Sequence, residues 1–224
     1  MNIRGLIAAI ALALPMLSFA NPVPAANSAE ELVGEATAVV DNFMRDPDFE
    51  FMKGMIRDAY GVVVIPQLTK GGFIIGAEGG SALVIGRKAD GQWGYPAFYT
   101  LLSASIGLQI GGQVSEVILV VRNRRGLEAL VNDTVKLGAD ASVAVGPVGA
   151  GVKGGTTSNF QADIVAFSKT KGLFGGGAIE GGTLSSNTDR NELFYGRPVS
   201  GKAIILDHQV INPSADLLRN LLPR

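Results

Sequence analysis

The chain has 224 residues, 30 of them glycine, with 47% hydrophobic residues and no cysteine. Its formal charge is -1 at pH 7, from 19 Lys and Arg against 20 Asp and Glu. That balance excludes the basic footprint of a nucleic-acid binder, and the missing cysteines exclude a disulfide framework and cysteine-built zinc sites.

In residues 1–20, Arg4 precedes the apolar run LIAAIALALPMLSF, and Ser18 and Ala20 supply small residues at the end. This order predicts a secretory signal peptide, whose apolar part is shorter than the roughly 18–20 residues that span a bilayer. An exported protein is expected. The prolines of NPVPAAN (21–27) disfavour helix and predict a linker, which leaves residues 28–224 as one domain.

Ser28 and Glu31 form a capping-box pattern, and Leu32, Ala36, Val39, Val40 and Phe43 follow at helical spacing. They predict a helix over about 29–44. Asp46 and Pro47 read as the start of a second helix running to about Ala59. Beyond Tyr60, GVVVIP is a buried β-run. GGFIIGAEGGSALVIGRKADGQW reads as strand, turn and strand, with Asp90 and Gly91 at a hairpin tip. FYTLLSASIGLQIGGQ and SEVILVVRN are further strands, and RRGLEALVND is a short helix. Residues 158–168 alternate as a half-buried strand, with Phe160, Ala162, Ile164 and Ala166 on one side. Pro213 opens a last helix with Leu217, Leu218 and Leu221 on one face. The fold class is therefore α+β: a coiled, glycine-rich antiparallel sheet or barrel, packed by N-terminal helices and a short C-terminal helix.

Catalytic patterns are weak. His208 is the sole histidine, and no G-x-S-x-G elbow accompanies it. Gly149, Gly151 and Gly154 match a dinucleotide fingerprint, but strand-like sequence follows where a helix is required. Glu78, Glu116, Asp140, Asp163 and Glu180 read as solvent-facing strand positions or as partners of Lys70, Lys136 and Lys171. Arg122, Arg124 and Arg125 flank a turn. No catalytic residue, metal site or cofactor is expected.

Two stretches resemble each other: KGGFIIGAEGG (70–80) and KGLFGGGAIEGG (171–182). Both read as strand and turn. Lys70 and Lys171 occupy matching places, where they touch anionic head groups, pair with nearby carboxylates, or stand as ordinary solvated turn residues. Trp93, Tyr95, Phe98 and Tyr99 either line an apolar ligand mouth or pack in the core.

AYGVVVIPQLTKGGFIIGAEGGSALV, WGYPAFYTLLSASIGLQIGGQVSEVILVV, KLGADASVAVGPVG, FSKTKGLFGGGAIEGG and NELFYG, in that order, resemble the SYLF domain family over about residues 30–212. Its members include yeast actin-patch regulators, phosphoinositide-binding proteins and exported bacterial proteins. The resemblance implies a lipid-binding, non-enzymatic module in a bacterial periplasm or envelope. The acidic Glu30, Glu31, Glu35 and Asp41 stand where eukaryotic members carry a basic amphipathic segment. The expected partner is phospholipid, a membrane surface or another amphiphile. The alternative is a structural or protein-interaction module of the envelope without a small ligand. An enzyme is the third reading.

Overall fold

The computed structural model describes residues 28–72, 75–106, 111–149, 161–170 and 181–224. The expected signal peptide and linker lie outside them. Helix α1 (Ala29–Arg45) is capped by Ser28, whose side chain accepts from the Glu31 amide. Asp46 accepts the Asp48 amide and opens a 3-10 turn, Pro47–Phe49, which leads into α2 (Glu50–Arg57).

The strands are β1 (Gly61–Gly72), β2 (Ile75–Gly86), β3 (Ala97–Ile106), β4 (Gly111–Val121), β5 (Thr134–Lys136), β6 (Val143–Val145), β7 (Ile164–Thr170) and β8 (Thr183–Ser186). They form one curled sheet in the order β5-β8-β3-β2-β1-β4-β7-β6. Strands β1, β2 and β3 run as a meander, and β4 returns beside β1, a Greek-key order. The sheet departs from the antiparallel expectation at one edge, where β6 pairs parallel to β7. Helices α3 (Arg124–Leu130), α4 (Thr188–Tyr195), α5 (Gly201–Ile205) and α6 (Asp216–Leu221) complete the chain.

Long apolar runs explain where the core sits. Val62–Ile65, Ala82–Ile85 and Val117–Val121 are buried without interruption, so this part of the sheet is covered on both faces. One face meets α1, α2 and α4: Phe98 packs edge-on against Phe194 of α4, and Phe51 of α2 lies near Phe167 of β7. The opposite face meets α3 and α5. A Cβ at Gly61 would lie 2.7 Å from Leu127 of α3, and one at Gly86 would strike the Ile205 carbonyl of α5.

Two sequence expectations change here. Ile164, Val165, Ala166 and Phe167 are all buried, so β7 is covered on both faces, and residues 161–163 precede it as a turn. In α6, Leu218 is buried while Leu217 is 64% exposed, so the leucines do not share one face. The first glycine-rich stretch is strand in its described part, 70–72 and 75–80. The second, including Lys171, lies outside the described residues up to position 180.

Candidate functional site

The aromatic cluster is core. Trp93, Tyr95, Phe98 and Tyr99 are all buried. The Trp93 Nε1–H donates to the Pro223 carbonyl at 2.9 Å, and Arg87 lies over its ring. The Tyr95 hydroxyl donates to Asp216, while Arg219 stacks on the ring and donates to the Trp93 carbonyl. These contacts clamp α6 onto the β2–β3 hairpin. The Tyr99 hydroxyl is enclosed near Gly201 of α5 and the Ser186 side chain, and burial holds its pKa far above the usual tyrosine range.

Lys70 and Glu78 are directly opposed on β1 and β2, and Lys70 Nζ lies 2.8 Å from Glu78 Oε1. The Glu78 side chain is 1% exposed. Lys70 is therefore a carboxylate partner, the second of the roles its sequence allows. Gln113 stands on its other side, on β4, with its Nε2 buried and unpartnered.

The pleat places the neighbours of Lys70 and Glu78 on the other face of the sheet, the α1 face. There Leu102, Gly79, Thr69 and Val114 form a row across β3, β2, β1 and β4. Leu102 is 63% and Val114 50% exposed. In the next row outward, Ala104 and Ala77 are exposed, and the register adds Gly71 and Gly112. Across β3, β2, β1 and β4, the described residues of both rows carry no charge.

One row nearer the core stands a belt of polar side chains. The register aligns Thr100 with Ser81 and Glu116 with Lys169, and Gln67 lies between them at a β-bulge in β1. The helical layer touches this belt through side chains: Arg190 of α4 donates to Ser81 at 2.8 Å, Gln67 donates to Glu35 of α1 at 3.0 Å, and Lys169 donates to Asp46, the C-cap of α1, at 2.5 Å. The hydrogen bond from Lys169, then that from the Asp48 amide, lowers the Asp46 pKa. Helices cover the sheet up to this belt and leave the apolar rows beyond it bare.

The remaining charged candidates serve structure. Burial raises the pKa of Asp163, but hydrogen bonds from Asn123, the Ser142 amide and the Ser142 hydroxyl, with the charge of Arg125, outweigh it and leave the pKa lowered. Arg124 pairs with Glu128, Asp140 accepts the Lys136 amide, and Glu180 lies outside the described residues. His208 has φ 50° in the loop after α5, and its Nδ1 is buried. Burial, then Lys88, lowers its pKa against backbone contacts and Asp90. Gly149 has a positive φ in a loop, and Gly151 and Gly154 lie outside the described residues. Among the described residues, no three His, Asp or Glu side chains converge on a metal site, and no helix is long and apolar enough to cross a membrane.

Leu102 and Val114 were not singled out from sequence. The alternation of Leu102 and Ala104 with Ser103 and Ser105 was the available signal, although it does not say which face the helices leave open.

A family profile described as "Ysc84: Las17-binding protein actin regulator" matches residues 102–224. The human "SH3 domain-containing YSC84-like protein 1" is 30% identical over 181 residues, covering 78% of this chain and 52% of the human protein. "Protein YSC84" of Saccharomyces cerevisiae is 26% identical over 210 residues, covering 90% of this chain and 44% of its own length. The chain thus spans about half the length of these relatives.

Proposed function

The chain belongs to the Ysc84 actin-regulator family, the SYLF family of its sequence motifs, and from that premise we propose that it is a non-enzymatic, exported envelope module that binds phospholipid or another amphiphile. The observation that carries this reading is the bare end of the sheet. Leu102 of β3 and Val114 of β4 stand exposed in rows whose described residues are uncharged, while Glu78 and Lys70, on the two strands between them, face the other way and neutralise each other. Contiguous exposed apolar surface marks a binding site for protein or membrane. The leader-like order of residues 1–20 supports export.

The test is flotation of the purified protein with vesicles of phosphatidylethanolamine and phosphatidylglycerol. Co-flotation is expected. Protein that stays at the bottom of the gradient with every vesicle composition contradicts the reading.

A second reading has its own observation. Leu193 of α4, Ile211 and Leu217 of α6 are 80%, 76% and 64% exposed. Asn212 donates to the Phe194 carbonyl and so ties the 211 segment to the end of α4. This helical layer suits a protein partner, in keeping with a family described as Las17-binding. A pull-down in which Leu193→Asp and Ile211→Asp together abolish partner capture, while vesicle flotation is absent, would favour it.

A further inference from the structure

We propose that the bare end of the sheet inserts into one leaflet of a lipid bilayer, with its α1 face against the acyl chains and the polar belt at head-group level. This rests on the lipid-binding reading and adds the mode of binding.

Three features carry it. The first is the inverted alternation. A half-buried antiparallel sheet in water turns its apolar side chains inward and its polar ones outward. Beyond the β1 bulge the pattern is reversed: Leu102, Ala104, Ala77 and Val114 are exposed, and the charged Glu78 is buried against Lys70. Apolar-out and polar-in is the alternation of sheets that sit in lipid. The ion pair sends no net charge into that environment.

The second feature is the boundary. The Thr100–Ser81–Gln67–Glu116–Lys169 belt, with Arg190, Glu35 and Asp46 above it, runs across the sheet one row from Leu102. Charged and amide groups there remain in water and among head groups when the rows beyond enter hydrocarbon.

The third is length. From Thr100 to the end of β3 at Ile106 is six residues, or roughly 20 Å at the rise of a strand. Half of a bilayer's hydrocarbon core is roughly 15 Å. The end reaches through one leaflet and is too short to cross both. Hydrocarbon also demands paired backbone. The two inner strands of this end meet that demand: Thr69–Gly72 of β1 pairs with both β2 and β4, and Gly76–Gly79 of β2 pairs with both β1 and β3. A protein partner or a second copy is favoured less, because these rows hold no aromatic or arginine anchor of the kind that dominates protein interfaces.

The chain has no cysteine, so single-cysteine labelling is clean. Leu102→Cys and Val114→Cys variants, each confirmed as folded by circular dichroism, are labelled with an environment-sensitive fluorophore. They are mixed with phosphatidylethanolamine–phosphatidylglycerol vesicles carrying acyl-chain nitroxides. Leu193→Cys serves as the aqueous control. Blue-shifted, quenched emission at 102 and 114 but not at 193 is expected. Vesicle binding in the same samples should change less than about twofold between low salt and about 0.5 M NaCl, because screening acts on charges and not on apolar burial. Vesicle binding with aqueous emission at both positions, or binding lost at high salt, overturns the insertion and leaves the lipid-binding reading standing. No vesicle binding overturns both. Blue-shifted emission without vesicles, together with a dimer in sedimentation velocity, identifies self-association and overturns the insertion.

Discussion

Asn191 is fully buried, and its Oδ1 accepts the Phe98 backbone N–H at 2.8 Å. The reason lies in the sheet. Strand β8 pairs with β3 only from Tyr99 to Leu102, so Phe98 has no ladder partner on that side. The Phe98 carbonyl is met by the Asn187 amide at 2.9 Å and, at 3.5 Å, by Asn191 Nδ2. Asn191 therefore stands in for the missing strand. In Asn191→Ala the carbonyl keeps Asn187, but the N–H is orphaned where water does not reach. An unsatisfied buried donor costs about 1–3 kcal/mol. For a domain of this size each kcal/mol moves the melting temperature by about 2–4 °C, so a fall of roughly 2–12 °C is expected. Thermal melting by circular dichroism reads it, with Leu193→Ala on the same helix as the exposed control, expected within about 0.5 kcal/mol of wild type. An Asn191→Ala protein that melts within about 1 °C of wild type refutes the reasoning.

Gly146→Ala drives a Cβ into the Phe167 ring and should destabilise by about 1–3 kcal/mol, whereas Gly54→Ala inside α2 meets open space and should stabilise by up to about 1 kcal/mol; chemical denaturation of the pair checks both signs. The lowered pKa of Asp163 means that its stabilisation is complete above the unfolded value of about 3.9 and is lost as pH falls through the lower folded value. Asp163→Asn should remove that part of the acid dependence, and an unchanged profile of stability against pH counts against it. Burial of His208 should place its NMR titration midpoint below about 6.5, so its contribution to stability is present above that pH and lost as pH falls through the folded midpoint; a midpoint above the unfolded value contradicts the burial argument.

The core was legible because its signals are local. VVVI (62–65) and VILVV (117–121) are continuous apolar runs, and strands covered on both faces produce them. Ser28, Asp46 and Pro47 cap helices through their own side-chain chemistry. Helices α4 and α5 were not legible. Each is under three turns, α4 buries the polar Asn191, and α5 begins with Gly201 packed on the Tyr99 hydroxyl, so neither shows an apolar stripe. Trp93 and Tyr95 left two readings open because Pro223, Asp216 and Arg219 decide between them, and those residues come from the far C-terminal end of the chain. Lys70 left head-group contact, ion pair and solvated turn residue open until the register set it opposite Glu78. The bare rows depend on where the helices stop, and Arg190, Glu35 and Asp46 set that limit by tertiary contact rather than by any local pattern.

The central claim is that the uncharged rows beyond the polar belt bind lipid, and a vesicle-binding titration of the Leu102→Ser, Val114→Ser double variant tests it most directly. Burying a whole Leu or Val side chain is worth about 1.5–3 kcal/mol. With Leu102 63% and Val114 50% exposed, roughly half of that is still to be gained at each. The two together supply about 2 kcal/mol, or about a thirtyfold change in affinity. The variant, with its melting temperature unchanged because both side chains face out, should bind vesicles about thirtyfold more weakly than wild type. Equal binding by the two folded proteins would contradict the account.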